Sequence, residues 1–217
     1  MAATLTIPAS TTLPAGEIVA VDVSPEAYLA RYAETHHEWV KGMVLKMTPV
    51  SAQHTQLVDY LRDILRTYFD LKPVGVVFSE PFVMRMDTVE AIREPDLQVI
   101  LNDNPGKLTD TGMIGPADIC IEVVSPESVA RDYGDKFAEY EKAGVREYWI
   151  IDPIRQRCQF NRLTDAGVYA VPLPDDAGNY RTPLLPGLAL HVPTLWQEEL
   201  PGILEVVRTV QAMLGAV

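Results

Sequence analysis

The run Ile119–Val124, "ICIEVV", limits what this chain can fold into. Its apolar residues are Ile119, Cys120, Ile121, Val123 and Val124, the composition of a buried strand. Glu122 stands in the middle. An isolated charge inside a sheet costs several kcal/mol or more, so the fold must bring a partner to it.

The flanking segments alternate between the periods of strand and helix. Ser24-Pro25-Glu26 has the form of a helix start, with Ser as cap and Pro in the first turn, and predicts a helix to about Glu34. "HEWVKGMVLKMTP", residues 37–49, predicts two short strands about a tight turn at Gly42. Leu57, Leu61, Ile64, Leu65 and Tyr68 recur at helical spacing in 51–69, with Ser51 as cap. Residues 74–86 read as two strands broken at Pro81, and 93–103 as a strand beginning near Pro95. Ser125-Pro126-Glu127 predicts a helix start, carrying Tyr133, Phe137 and Tyr140 on one side and ending near Gly144. "VREYWIIDP" and "RCQFNRL" predict a strand and its hairpin partner, followed by short strands at 168–171 and 187–192. Residues 194–216 look helical, with a break at Pro201-Gly202. The expected architecture is a single α/β domain, a mixed central sheet with helices on both faces. Residues 1–23 are expected to form an extended arm, 24–193 the core domain, and 194–217 a helical segment packed on it.

Composition narrows the function. The formal net charge is −12 over 217 residues, a field that repels nucleic acid unless a metal, a local basic patch or a dimer groove offsets it. Cys120 and Cys158 lie in apolar runs and make neither a disulfide framework nor a zinc site. The first positive charge is Arg31, unlike the basic start of a secretory leader. No apolar run approaches the ~18 residues of a membrane span. A cytoplasmic, reducing setting without membrane contact is expected.

Asp96, after Pro95, is a second carboxylate in a strand that otherwise reads as buried. Alternation puts Asp96 with Gln98 and Ile100, and Glu122 with Cys120 and Val124. If the two strands are neighbours, the carboxylates converge and repel unless a cation lies between them. Mg²⁺, or Mn²⁺ in its place, resolves that conflict through oxygen ligands, and such a site activates water and polarises a phosphoryl oxygen. Lys136, on the following helix and at the margin of its apolar face, is the candidate to complete the set by stabilising anionic charge.

The ordered motifs "EPDLQVI", "ICIEVVSPES" and "RDYGDKFAEYEKAGVREYWIIDP" resemble the PD-(D/E)XK nuclease superfamily, and more closely its branch of putative restriction endonucleases of unknown specificity. The likeness covers about residues 24–163, and "HHEWVKGMVLKMTPVSAQH" fits the opening of that branch. The resemblance implies a restriction-endonuclease-like fold in which Asp96 and Glu122 are metal ligands on adjacent strands and Glu38 is an upstream acid near the metal. The superfamily lysine, two residues after Glu122, is Val124 here, and in the related branch a helical lysine, matching Lys136, takes its place.

Ordinary roles compete with these. Asp132 is four residues before Lys136, the favourable order for a surface ion pair on a helix. Glu38 reads equally as a surface hairpin acid, and His54 either touches substrate or simply packs near its helix start. His36 and His37 lack partners at zinc spacing and read as surface. The leading expectation is a Mg²⁺- or Mn²⁺-dependent endonuclease hydrolysing DNA, with a homodimer as the expected assembly. Alternatives are a catalytically degenerate binding module of the same fold and a metal-dependent hydrolase of a small phosphorylated substrate.

Overall fold

The computed structural model describes residues 17–215. Residues 1–16 of the expected arm (1–23) and the last two residues of the C-terminal segment lie outside the described residues; the described part of the arm, from Glu17, is not a free arm but carries a strand paired with residues 44–46. In chain order the elements are β1 (Glu17–Ala20), α1 (Pro25–Arg31), β2 (His37–Val40), β3 (Met43–Lys46), α2 (Ala52–Leu71), β4 (Gly75–Ser79), β5 (Val83–Met86), β6 (Ala91–Arg93), β7 (Leu97–Leu101), β8 (Lys107–Leu108), β9 (Gly112–Ile114) and β10 (Ile119–Val123). They continue with α3 (Lys136–Ala143), β11 (Glu147–Asp152), β12 (Arg157–Leu163), β13 (Tyr169–Ala170), β14 (Asn179–Arg181), β15 (Ala189–His191) and α4 (Ile203–Leu214).

The central sheet is mixed and, among the described residues, has the order β13-β12-β11-β10-β7-β4. Its β10 is parallel to β11 and antiparallel to β7. A second mixed sheet, β1-β3-β2-β6-β5-β9-β8, packs beside it, and β14 pairs with β15 as a separate hairpin. The break at Glu80-Pro81 is where the chain leaves the central sheet after β4 and enters the second sheet at β5.

Alternation along β7 and β10 explains the layers. Leu97, Val99, Ile119, Ile121 and Val123 face a core closed by Leu57, Leu61 and Leu65 of α2 and by Val206 and Val210 of α4. Ile100, Cys120 and Val124 face the opposite core, shared with Tyr140 of α3 and with Leu45, Met84 and Met86 of the second sheet. Helices therefore cover both faces of the central sheet, as the sequence predicts.

Local chemistry sets several element ends. The Ser24 side chain accepts from Ala27 N at 3.2 Å, and that of Ser51 from His54 N at 3.2 Å. Lys41 and Gly42 both have positive φ, at +48° and +84°, as a two-residue hairpin turn demands. α1 stops at Arg31, short of the predicted Glu34. Ser125-Pro126-Glu127 does not begin a helix. The Ser125 N–H donates to Ser128 Oγ at 2.9 Å, and the Ser128 N–H donates back to Ser125 Oγ at 3.2 Å, closing a turn. The helix that follows passes through a π-helical segment, Arg131–Asp135, before α3.

A buried acid also fastens β11. Glu147 is fully buried and accepts hydrogen bonds of 2.8 Å from Trp149 Nε1, Arg162 Nε, Tyr180 OH and Thr182 Oγ1. Glu147→Ala leaves these donors and a charge without their acceptor, and is expected to cost about 3–5 kcal/mol. Urea unfolding of both proteins measures this; a loss below about 1 kcal/mol would contradict it.

Candidate active site

Leu97 pairs with Ile121 and Val99 with Ile119, so one further step of that register sets Asp96 opposite Glu122. Asp96 Oδ2 accepts from Val123 N at 2.6 Å and lies 3.1 Å from His54 Nε2 in the first turn of α2. Glu122 Oε1 accepts from Lys136 Nζ at 2.7 Å and from Tyr140 OH at 3.0 Å. Asp96 Oδ1 and Glu122 Oε2 make no hydrogen bond to any described residue. Both carboxylates, with Lys136, His54, Glu80, Arg131 and Asp132, line a cleft of about 380 Å³ edged by Met47–Val50.

Lys136 is only 1 % exposed. Its amine also lies 3.1 Å from Glu38 Oε1. Glu38 accepts from Arg93 Nη1 at 2.7 Å and from Glu94 N at 3.2 Å, and Arg93 reaches back to Glu139 of α3 at 2.7 and 2.9 Å. The surface pair of Lys136 with Asp132 is not formed: both side chains are buried, and Asp132 accepts from Ser128 Oγ. Glu38, expected either near a metal or on the surface, is fully buried and held between Arg93 and Lys136. Val124, at the position of the superfamily lysine, is buried in an apolar cluster.

The charges are unequal in sign. Burial opposes ionisation of Glu38, but Lys136, Arg93 and Arg131 outweigh it and hold its pKa down at about 2. Burial also opposes the Lys136 ammonium, yet Glu122 and Glu38 keep its pKa above the ordinary lysine range. Burial pushes the Glu122 carboxyl above the ordinary carboxylate range; Lys136 opposes this, while Asp96, Asp132 and Glu38 reinforce it. Glu94 is pushed up to about 8 by burial, then by Glu38 and Glu80. Glu80 and Asp132 are raised as well, each chiefly by burial. The His54 ring is raised too, since the hydrogen bond and charge of Asp96 outweigh burial. So many strained carboxyls beside one buried ammonium mark a place short of positive charge. With free oxygens on Asp96 and Glu122, the donor set fits a hard divalent cation.

The structure thus brings Asp96, Glu122, Lys136 and His54 to one cleft, with Glu38 behind Lys136. Sequence reasoning missed Glu80, Glu94 and Arg131; His36 is on the surface, as expected, with its Nδ1 4.0 Å from Glu80 Oε2. Their partners come from distant segments, which local spacing cannot reveal. The nearest signal was Glu94, two residues before Asp96 in "REPD".

A family model, Uma2, described as "Putative restriction endonuclease", matches residues 25–193. The chain belongs to the Uma2 family. This membership makes it a nuclease-like protein, in agreement with the resemblance read from its motifs. The fold is similar to that of a putative nuclease belonging to DUF820 from Anabaena variabilis ATCC 29413, with a TM-score of 0.62 and 17 % identity over 74 % of this chain and 89 % of that one. No curated protein matches the chain. Among the described residues, no helix is long and apolar enough to cross a membrane.

The raised carboxyl of Glu94 gives this Uma2 protein a pH signature. A carboxyl whose pKa is higher in the folded than in the unfolded chain contributes stability that is present below about 4.5 and lost as pH rises towards about 8. With a chelator present, stability is expected to fall between pH 5 and pH 8, and Glu94→Gln to flatten that slope. Urea midpoints across this range check it; identical slopes in the two proteins would contradict it.

Proposed function

We propose that this Uma2 chain is a divalent-metal-dependent endonuclease that hydrolyses phosphodiester bonds in DNA. The observation that carries the reading is the convergence of Asp96, Glu122 and the Lys136 amine on one cleft, with an oxygen of each carboxylate free. Asp96 and Glu122 are the residues that would hold Mg²⁺ or Mn²⁺. Such a cation supplies Lewis acidity towards a phosphoryl oxygen and lowers the pKa of water at the site.

The protein groups have separable roles. Lys136, kept as an ammonium by Glu122 and Glu38, offers fixed positive charge to the anionic transition state. Glu38 positions that amine, and Arg93 and Glu139 hold Glu38 and α3 together. His54 fixes one oxygen of Asp96 and so orients the other. Tyr140 does the same for Glu122. A degenerate binding module would be favoured by a Lys136 amine turned away from the carboxylates; the 2.7 Å contact with Glu122 supports the catalytic reading instead. Cutting both strands of a duplex calls for two such clefts, which a homodimer supplies.

The test is Mn²⁺-dependent cleavage of plasmid DNA by the full chain. Asp96→Asn and Glu122→Gln are expected to reduce cleavage to background, and Lys136→Met to slow it about 10²–10³-fold. Full activity in Asp96→Asn would refute the assignment.

A further inference from the structure

We propose that His36, Glu80 and Glu94 form a second divalent-cation site, next to the Asp96–Glu122 pair and with a different metal preference. The three residues come from separate parts of the chain. His36 precedes β2, Glu80 follows β4 and Glu94 follows β6. One donor atom from each lies within 4.8 Å of the others, and His36 Nδ1 is 4.0 Å from Glu80 Oε2. Metal–ligand bonds of about 2.0–2.2 Å allow donors up to about 4.4 Å apart, so small side-chain movements close the set.

Acidic residues near a histidine are common on protein surfaces and would mean little alone. Glu94 is different. It is 1 % exposed, and neither of its carboxylate oxygens has a hydrogen-bond partner. A buried polar group left in that condition is costly and rare. Two buried cations nearby are committed elsewhere: Arg93 to Glu38 and Glu139, and Lys136 to Glu122 and Glu38. A bound cation satisfies both the charge and the lone pairs of Glu94.

The donor set also indicates which cation. Imidazole nitrogen with carboxylates suits Mn²⁺, Co²⁺ or Zn²⁺, whereas Mg²⁺ favours oxygen donors alone. His36 and Glu80 line the same cleft as Asp96 and Glu122, and the buried Glu94 lies within reach of both His36 and Glu80. A cation held there adds positive charge to a wall otherwise marked by Glu80, Asp96 and Asp132, and so favours an anionic group in the cleft. The site rests on Glu94 and its neighbours, and does not require the nuclease reading.

The experiment is titration of Mn²⁺ into the full chain, with free Mn²⁺ read by electron paramagnetic resonance. Wild type is expected to bind two ions. Asp96→Asn, Glu94→Gln and His36→Asn are each expected to retain one, with the affinity of the lost site reduced at least about tenfold. Zn²⁺ is expected to displace Mn²⁺ readily from the site that survives in Asp96→Asn. His36 is exposed, so its variant reports binding even where Glu94→Gln disturbs folding. A single wild-type site lost in Asp96→Asn but kept in Glu94→Gln and His36→Asn overturns this proposal and leaves the Asp96–Glu122 assignment standing. A single site with the opposite pattern supports the proposal and removes that assignment. No binding at all overturns both.

Discussion

Five charges of alternating sign run through the interior: Glu139, Arg93, Glu38, Lys136 and Glu122. Each link is short, from 2.7 to 3.1 Å. The chain of ions begins and passes again through the helical layer, since Glu139 and Lys136 are both on α3, and it touches β2, β6 and β10. It therefore ties the second sheet to the central sheet and fixes the helix over both. Desolvating such groups costs several kcal/mol per ion, which alternation of sign and hydrogen bonding offset. Well-packed apolar residues would often be as stable, so stability alone is a weak reason to keep charges here. Presenting an ammonium beside Glu122 at the floor of a cleft is a stronger one.

The same arrangement places an amine beside Glu122 although no lysine stands two residues after it. Val124 shares a face of the central sheet with Glu122 but is buried in an apolar cluster with Cys120 and Ile150. The amine arrives instead from α3, through a π-helical segment that places Arg131 and Asp132 on the cleft and Lys136 beneath it. π-helical turns cost hydrogen-bond quality and recur at functional sites.

Much of the fold was legible because it depends on local pattern. Apolar runs gave the central strands, the period of Leu57, Leu61 and Leu65 gave α2, and the hairpin turn of Lys41-Gly42 followed from glycine chemistry. Carboxylates were conspicuous where they interrupted apolar runs, which is how Asp96 and Glu122 stood out. Contacts between distant segments were not legible. Nothing in "REPD" says that Glu94 meets Glu80 and His36, or that Arg93 serves two acids from different elements. β14 and the pairing of a second sheet were hidden for the same reason, since short strands rich in turn residues carry little periodicity.

We propose that Asp96 and Glu122 hold a divalent cation beside the Lys136 amine. Anomalous X-ray scattering from crystals grown with Mn²⁺ locates such an ion directly. A peak is expected within coordination reach of Asp96 Oδ1 and Glu122 Oε2. A fully occupied Mn²⁺ elsewhere in the cleft with none between these two oxygens, or no peak in the cleft at saturating Mn²⁺, would contradict it.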